Sequence, residues 1–424
     1  MSCKALKAKT FATVSLALLL GLVAATAHAD TVLKLAHVET NPDEVALWKR
    51  IGKDYEASHP GVSVQFQYLE NEAYKAKLPT MLQSRDRPAI IYSWAGGVMR
   101  AQIDAGYVRP LNAAAQGLAA TMAPSAERAF EVGGKAYGVP ALTSDVAFFY
   151  NKALFAKAGV HAEAIKTWPD LLAAVRTIKA AGITPIIVGA GEKWPMHFYW
   201  SYLALRAGGP DVVANARAGK DGGFDNPAFV EAGTRLRELA ALEPFQPGYL
   251  GSLHLQAAGL FGDGRGAMQL MGNWLLNTQR GNAADGRGLS GDQIGSFSFP
   301  VLPDGKGRAG DALGGVNGFL VTKDAPAQAE DFLAFFSQPK YQQEAAAHGY
   351  YIPAVKGAIE QIKDPVTRHL ADTLANATSL QIFFDQDLGP SVGRVVNDVS
   401  VAVAAGQMSP KDAAQAVQQA WDDQ

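Results

Sequence analysis

From Val32 onward, apolar positions recur in two alternating rhythms. Val32-Leu33-Lys34-Leu35 predicts a strand, and Asn41-Pro42-Asp43-Glu44 opens a helix with apolar positions at Val45, Trp48, Ile51 and Tyr55. His59-Pro60-Gly61 stops that helix. Val62, Val64, Phe66 and Tyr68 then alternate with polar residues, which predicts a second strand. Tyr74, Leu78 and Leu82 mark another helix, and Ala89-Ile90-Ile91-Tyr92 a third strand. Strands separated by helices imply a mostly parallel sheet entered by right-handed crossovers.

A second unit of this kind follows Gly138-Val139-Pro140. It holds a strand at Ala147-Phe148-Phe149-Tyr150, a helix opened by Thr167-Trp168-Pro169-Asp170, and a further strand at Pro185-Ile186-Ile187-Val188. The helix carries Leu171, Leu172, Val175 and Ile178 at helical spacing and stops at Gly182. No short repeat, low-complexity linker or charge run separates the units. Two α/β units meet along a cleft, and such clefts bind small ligands.

The amino end has a different pattern. Lys4, Lys7 and Lys9 precede an apolar run from Val14 to Ala25, no acid occurs before Asp30, and Ala27-His28-Ala29 closes the segment. This is the layout of a secretory signal, residues 1–29, with cleavage before Asp30. A membrane anchor would need about 20 apolar residues and a positive flank on the far side. The exported chain is therefore expected to be soluble, in the periplasm. Its only cysteine, Cys3, would leave with the signal, so neither a lipid acceptor nor a disulfide or thiolate metal site is expected. Losing three lysines takes the formal charge from −2 to about −5, and without a basic patch nucleic acid is not an expected partner. With 18% charged residues, seven Trp and thirteen Tyr, the composition is that of an ordered α/β protein.

Four stretches, spread over nearly the whole exported chain, carry a resemblance. They are Ala89 to Gly106 (AIIYSWAGGVMRAQIDAG), Gly133 to Gly159 (GGKAYGVPALTSDVAFFYNKALFAKAG), Ala181 to Gly209 (AGITPIIVGAGEKWPMHFYWSYLALRAGG) and Phe261 to Trp274 (FGDGRGAMQLMGNW). In order and spacing they resemble the family 1 extracellular solute-binding proteins, the group containing maltose and oligosaccharide binders. The resemblance implies a two-lobed, hinge-joined periplasmic binding protein fold of type II, with lobe 1 at 30–141 and 316–350 and lobe 2 at 142–315 and 351–424. It places chain crossings near Ala141 to Asp145, Gly314 to Gly318 and Tyr350 to Ala354. The glycines Gly314, Gly315 and Gly318 could absorb the dihedral changes of a hinge or serve as ordinary turn residues. The implied function is the sugar-capturing component of an ABC importer that hands its ligand to a membrane permease. A monomer without cofactor or metal is implied, and no enzymatic activity.

A sugar offers an apolar C–H face and a rim of hydroxyls, so its site needs aromatic plates with carboxylates, amides or imidazoles. Trp94 follows the third strand and precedes Gly96-Gly97, at the carboxyl edge of the sheet; it could also pack beneath a loop. Trp194 and His197 are expected in the loop after Val188, with Trp200 in the core. Trp274 matches a tryptophan that stacks on a sugar ring in the family. His37, Glu39 and Thr40 lie between the first strand and its helix, whose positive end favours an oxygen-rich ligand, although Thr40 or Asn41 could simply cap that helix. Asp145 would face the cleft from the first crossing and Asn317 from the second. Tyr350 would stack or pack at the third, and Asp385 would enter from a late loop or cap a helix.

Two rival readings remain. A glycoside hydrolase would share aromatic plates and carboxylates, but no motif fixes such a pair. An iron carrier could use Tyr350-Tyr351 as phenolate ligands, given further hard donors.

Overall fold

The computed structural model describes residues 31–424, so the expected leader with Cys3 and the cleavage site lies outside the described residues. The first core forms on β1 (Thr31–His37), β2 (Val62–Tyr68) and β3 (Ile90–Trp94). β1 pairs in parallel with both, Leu33 opposite Val64 and Ala36 opposite Ile91. Between them run α1 (Pro42–Ser58) and α2 (Asn71–Gln83). The Asn41 side chain accepts the Asp43 N–H to start α1, which buries Leu47, Trp48, Ile51 and Tyr55. The Glu70 carboxylate accepts the Glu72 and Ala73 N–H groups to start α2, which buries Tyr74, Leu78 and Leu82 at the expected spacing. The Tyr74 hydroxyl donates to the Tyr92 carbonyl at 2.6 Å, fixing α2 to β3. Helix α3 (Gly97–Asp104) follows directly.

A hairpin of β4 (Glu131–Val132) and β5 (Lys135–Ala136) leads into β6 (Gly138–Asn151), one strand that passes through both lobes. The remaining strands are β7 (Met268–Gly272), β8 (Ile294–Phe297), β9 (Asp311–Val321), β10 (Ile352–Pro353) and β11 (Ser379–Ile382). The sheet runs β10-β6-β9-β3-β1-β2, with β7 and β8 beside β6 and β11 beside β9. Both long strands change partners along their length. β6 pairs with β9 up to Asp145 and with β7 from Val146. β9 pairs with β11 up to Gly314 and with β3 from Asn317.

The expectation of mostly parallel sheets is corrected here. Parallel ladders occur around β1 and between β9 and β11, whereas those of β6 with β7, β8, β9 and β10, and of β3 with β9, are antiparallel. The reason is topological: β6 and β9 run between the lobes in opposite directions and pair with each other along the crossing. The segment 185–188 is extended but forms only single bridges at Ile186, to Phe245 and Met268, rather than a strand.

Two apolar cores result. The first gathers residues from Leu33 to Leu142 and from Val316 to Ala358; the second is built mainly from Val146 to Leu313 and the chain beyond Ile362. In the second, the fully buried Arg206 donates to the Asp311 and Phe299 carbonyls at 2.9 Å each, pinning the start of β9 beneath helix Trp194–Gly208. The crossing glycines have extended rather than left-handed backbones. A Cβ on Gly314 would fall 2.0 Å from the Ser144 carbonyl oxygen and one on Gly318 2.3 Å from that of Val139, so close strand approach, not dihedral freedom, demands glycine there.

Candidate functional site

A cleft enclosing about 1100 Å³, including its open mouth, lies between the two cores. Its first-lobe wall comes from chain ends at one sheet edge: Glu39 and Thr40 after β1, Tyr68 at the end of β2 and Glu70 after it, and Trp94 at the end of β3. Helix Trp194–Gly208 presents Trp194, His197 and Phe198 from the second lobe, the turn after β7 presents Asn273 and Trp274, and helix Leu275–Asn282 that follows presents Asn277. Ser144, Asn317, Tyr350 and Asp385 contribute from the crossings and the loop after β11. The second wall is an aromatic cluster. Trp274 lies 6.2 Å from Trp194, 6.4 Å from Phe198 and 6.1 Å from Phe383, centroid to centroid. Trp94 faces it from β3, held edge-on by Tyr74 and Tyr92 with the Lys75 ammonium 5.6 Å from its ring centre.

Charged groups cross the cleft between these plates. Asp385 places one carboxylate oxygen 3.9 Å from Lys75 Nζ and the other 3.6 Å from His197 Nε2. Burial lowers the His197 pKa despite Asp385, and its Nδ1 pairs with the Trp194 carbonyl at 2.6 Å. Near α1, Glu39 accepts the Thr40 and Asn41 N–H groups at 2.8 Å each. Burial, and then the neighbouring Glu39 charge, push the Glu44 pKa well up, and burial raises that of Glu39 as well. His254 on the opposite lobe is held neutral, its pKa lowered to about 4 by burial. Several buried polar atoms around the cleft have no protein partner: Trp194 Nε1, His197 Nε2, Asn317 Oδ1 and Gln386 Oε1.

Residues 40–343 match the family described as bacterial extracellular solute-binding protein. The chain belongs to this family. A solved chitin oligosaccharide binding protein superposes on this solute-binding protein with a TM-score of 0.83 at 25% identity, covering 93% of this chain and 98% of the other. The multiple sugar-binding protein of Streptococcus mutans is 24% identical over 333 residues, 76% of this chain and 75% of that protein. An uncharacterized ABC transporter extracellular-binding protein of Pyrococcus horikoshii is 28% identical over 173 residues. That match spans only 40% of the relative's own length.

Most of the residues singled out in the sequence line this solute-binding protein's cleft: Glu39, Thr40, Trp94, Trp194, His197, Trp274, Asn317, Tyr350 and Asp385. Two do not. His37 is 1% exposed, packed edge-on against Trp48 and Phe66, and its Nδ1 accepts the Glu39 N–H at 3.2 Å; it braces the loop from below. Asp145 is 3% exposed and lies behind the cleft wall rather than facing the cleft, and burial pushes its pKa up to about 8. Trp194 and His197 sit in the first turn of a helix rather than in a loop, Pro195 being fitted to that turn. Tyr351 is buried and donates to Gln342 Oε1 at 3.2 Å, and burial raises its pKa well above the ordinary phenol value. Sequence reasoning missed Tyr68 at the end of β2 and Glu70, Lys75, His254 and Asn277 at or near helix starts, residues that only the approach of the two lobes brings together.

Proposed function

We propose that this chain is the ligand-capturing component of a carbohydrate ABC importer, exported to the periplasm on residues 1–29. It closes on a mono- or oligosaccharide between its lobes and delivers it, as a monomer, to the membrane permease without altering it. The supporting observation is a cleft in which three indoles, Trp94, Trp194 and Trp274, stand among buried polar atoms that lack protein partners. Apolar plates match the C–H face of a sugar and the free acceptors and donors match its hydroxyl rim. The names of the relatives, a chitin oligosaccharide binder and a multiple sugar binder, favour the same class.

The lobes in this reading are residues 30–141 with 316–350, and 142–315 with 351–424. Tyr351, Ala354, Val355 and Ala358 pack in the first core, which supports moving the last boundary past residue 358. The deciding experiment is a thermal-shift screen of the exported form against mono- and oligosaccharides, with calorimetry on each hit. A tight ligand raises the melting temperature by mass action. A silent panel, or turnover of a bound sugar, would rule the reading out. N-terminal sequencing of a periplasmic extract should return Asp30 as the first residue.

A further inference from the structure

Asn277 lies one turn beyond Trp274, and its N–H bonds to the Trp274 carbonyl at 3.1 Å, so ring and amide ride on one rigid turn. Leu275 and Leu276 beside it are buried in the second core. Its Nδ2 reaches the other way, donating to the carbonyls of both Gly349 and Tyr350 at 3.0 Å each. Only the NH2 end of an amide can serve two carbonyls, which fixes its orientation. Tyr350 packs against the first core, just beyond helix Pro339–Ala347, whose Tyr341 and Ala345 lie in that core. These bonds therefore tie a second-lobe helix to first-lobe backbone outside the ladder shared by β6 and β9. At its near end the same turn is fastened to β6: Asn273 Oδ1 accepts the Asp145 N–H at 3.2 Å, and the Asn273 N–H donates to the Asp145 carbonyl at 3.1 Å.

We propose that Asn277 is a positioning residue that latches the cleft shut, linking the turn that bears Trp274 to the first lobe at Gly349 and Tyr350. Any opening that parts helix Leu275–Asn282 from the Gly349 and Tyr350 backbone breaks both bonds of the Asn277 amide. The latch biases the lobes toward closure with or without ligand. With a sugar against Trp274 it also slows release; only that arm rests on the proposed function.

The described chain has no cysteine, so Asp104→Cys and Glu163→Cys, at exposed sites on opposite lobes, give a clean labelled pair for distance measurement by energy transfer. In that background Asn277→Asp keeps the shape but turns an acceptor toward two carbonyls, and Asn277→Ala removes the contact. Both variants should fold as judged by circular dichroism. Both should shift the ligand-free distance distribution toward open, by about tenfold in the open-to-closed ratio for two lost hydrogen bonds. In stopped-flow displacement a bound sugar should dissociate about tenfold faster, with the association rate little changed. Identical distance distributions in parent and both variants overturn the latch. So does loss of the folded signal in both, which would assign Asn277 to the core. A sugar panel without hits would remove the proposed function yet leave the ligand-free comparison decisive for the latch.

Discussion

The indole of Trp274 occupies its place because Gly272 has no side chain: a Cβ there would lie 2.0 Å from the ring. The ring is half-buried, resting on Phe198 and Phe383 with its remaining surface turned to the cleft. An aromatic plate contributes about 0.5–1.5 kcal/mol beyond its area, so Trp274→Ala should weaken sugar binding at least about tenfold, roughly 1.4 kcal/mol. Calorimetry checks the affinity, and an unchanged melting temperature without ligand separates site from core. Asp145 gives a different kind of prediction. Its folded pKa, about 8, lies above the value near 4 of an unfolded carboxyl. Its contribution to stability is therefore complete below about pH 4 and is lost as pH rises toward 8. Asp145→Asn should remove that loss, so urea midpoints of variant and parent should diverge in the variant's favour between pH 4 and 8. A constant difference across that range would show that the carboxyl does not titrate there. At this scale the placing of Trp94 and Trp274 in the cleft wall was legible in the sequence, because each stands at or just past the end of a strand. The burial of His37 and Asp145 was not, since a polar residue's exposure depends on what packs over it.

Helix Trp168–Ala180 shows how far local rules reach. Thr167 and Asp170 form a reciprocal capping box, Asp170 accepting the Thr167 N–H at 2.8 Å, and the apolar face falls at Leu171, Leu172, Val175 and Ile178 as the spacing predicts. Thr167→Ala should cost about 1 kcal/mol of stability and leave sugar affinity unchanged, since the cap lies outside the cleft; a urea titration beside a binding isotherm tests both halves. Helix Trp194–Gly208 marks the opposite limit. Trp194 through Arg206 are all buried, so no polar face gives a helical period, and its first turn reads as loop. β6 was legible only in parts, as a crossing and a strand at 147–150, because one strand serves two cores and its burial does not alternate. The segment 185–188 is apolar enough for a strand, yet its pairing with Phe245 and Met268 stops at isolated bridges centred on Ile186. Composition marks an extended buried segment without telling whether a ladder completes it.

In the molecule as a whole, the crossings form one strip of ladder: Leu142 opposite Asn317, Ser144 opposite Gly315, Thr143 opposite Ile352. Lobe rotation on binding must therefore bend paired strands together, a hinge shared among several residues. Small-angle scattering of Asn277→Ala, whose free form should be open, should show a smaller radius of gyration when saturated with ligand, and equal radii would argue against hinged capture. The family's two-lobed fold was legible because its motifs keep their order over most of the chain. How the crossing strands touch was not, since that depends on separations between residues far apart in sequence. Gly314 makes the difference testable. If its role were torsional freedom, Gly314→Ala would leave the melting temperature of the free protein untouched and slow or prevent closure. The geometry predicts otherwise. Its backbone is already extended, and the added methyl would stand 2.0 Å from the Ser144 carbonyl oxygen, a backbone atom that cannot swing aside as a side chain can. Relief requires the two crossing strands to part where they hold the lobes together, at a cost comparable to overpacking, about 1–3 kcal/mol. Gly314→Ala should accordingly lower the melting temperature without ligand, and it should weaken binding because the strand bearing Asn317 is displaced. Scattering with excess sugar should still show contraction in whatever fraction remains folded and liganded. A fully stable variant that no longer contracts would restore Gly314 to the role of a free joint.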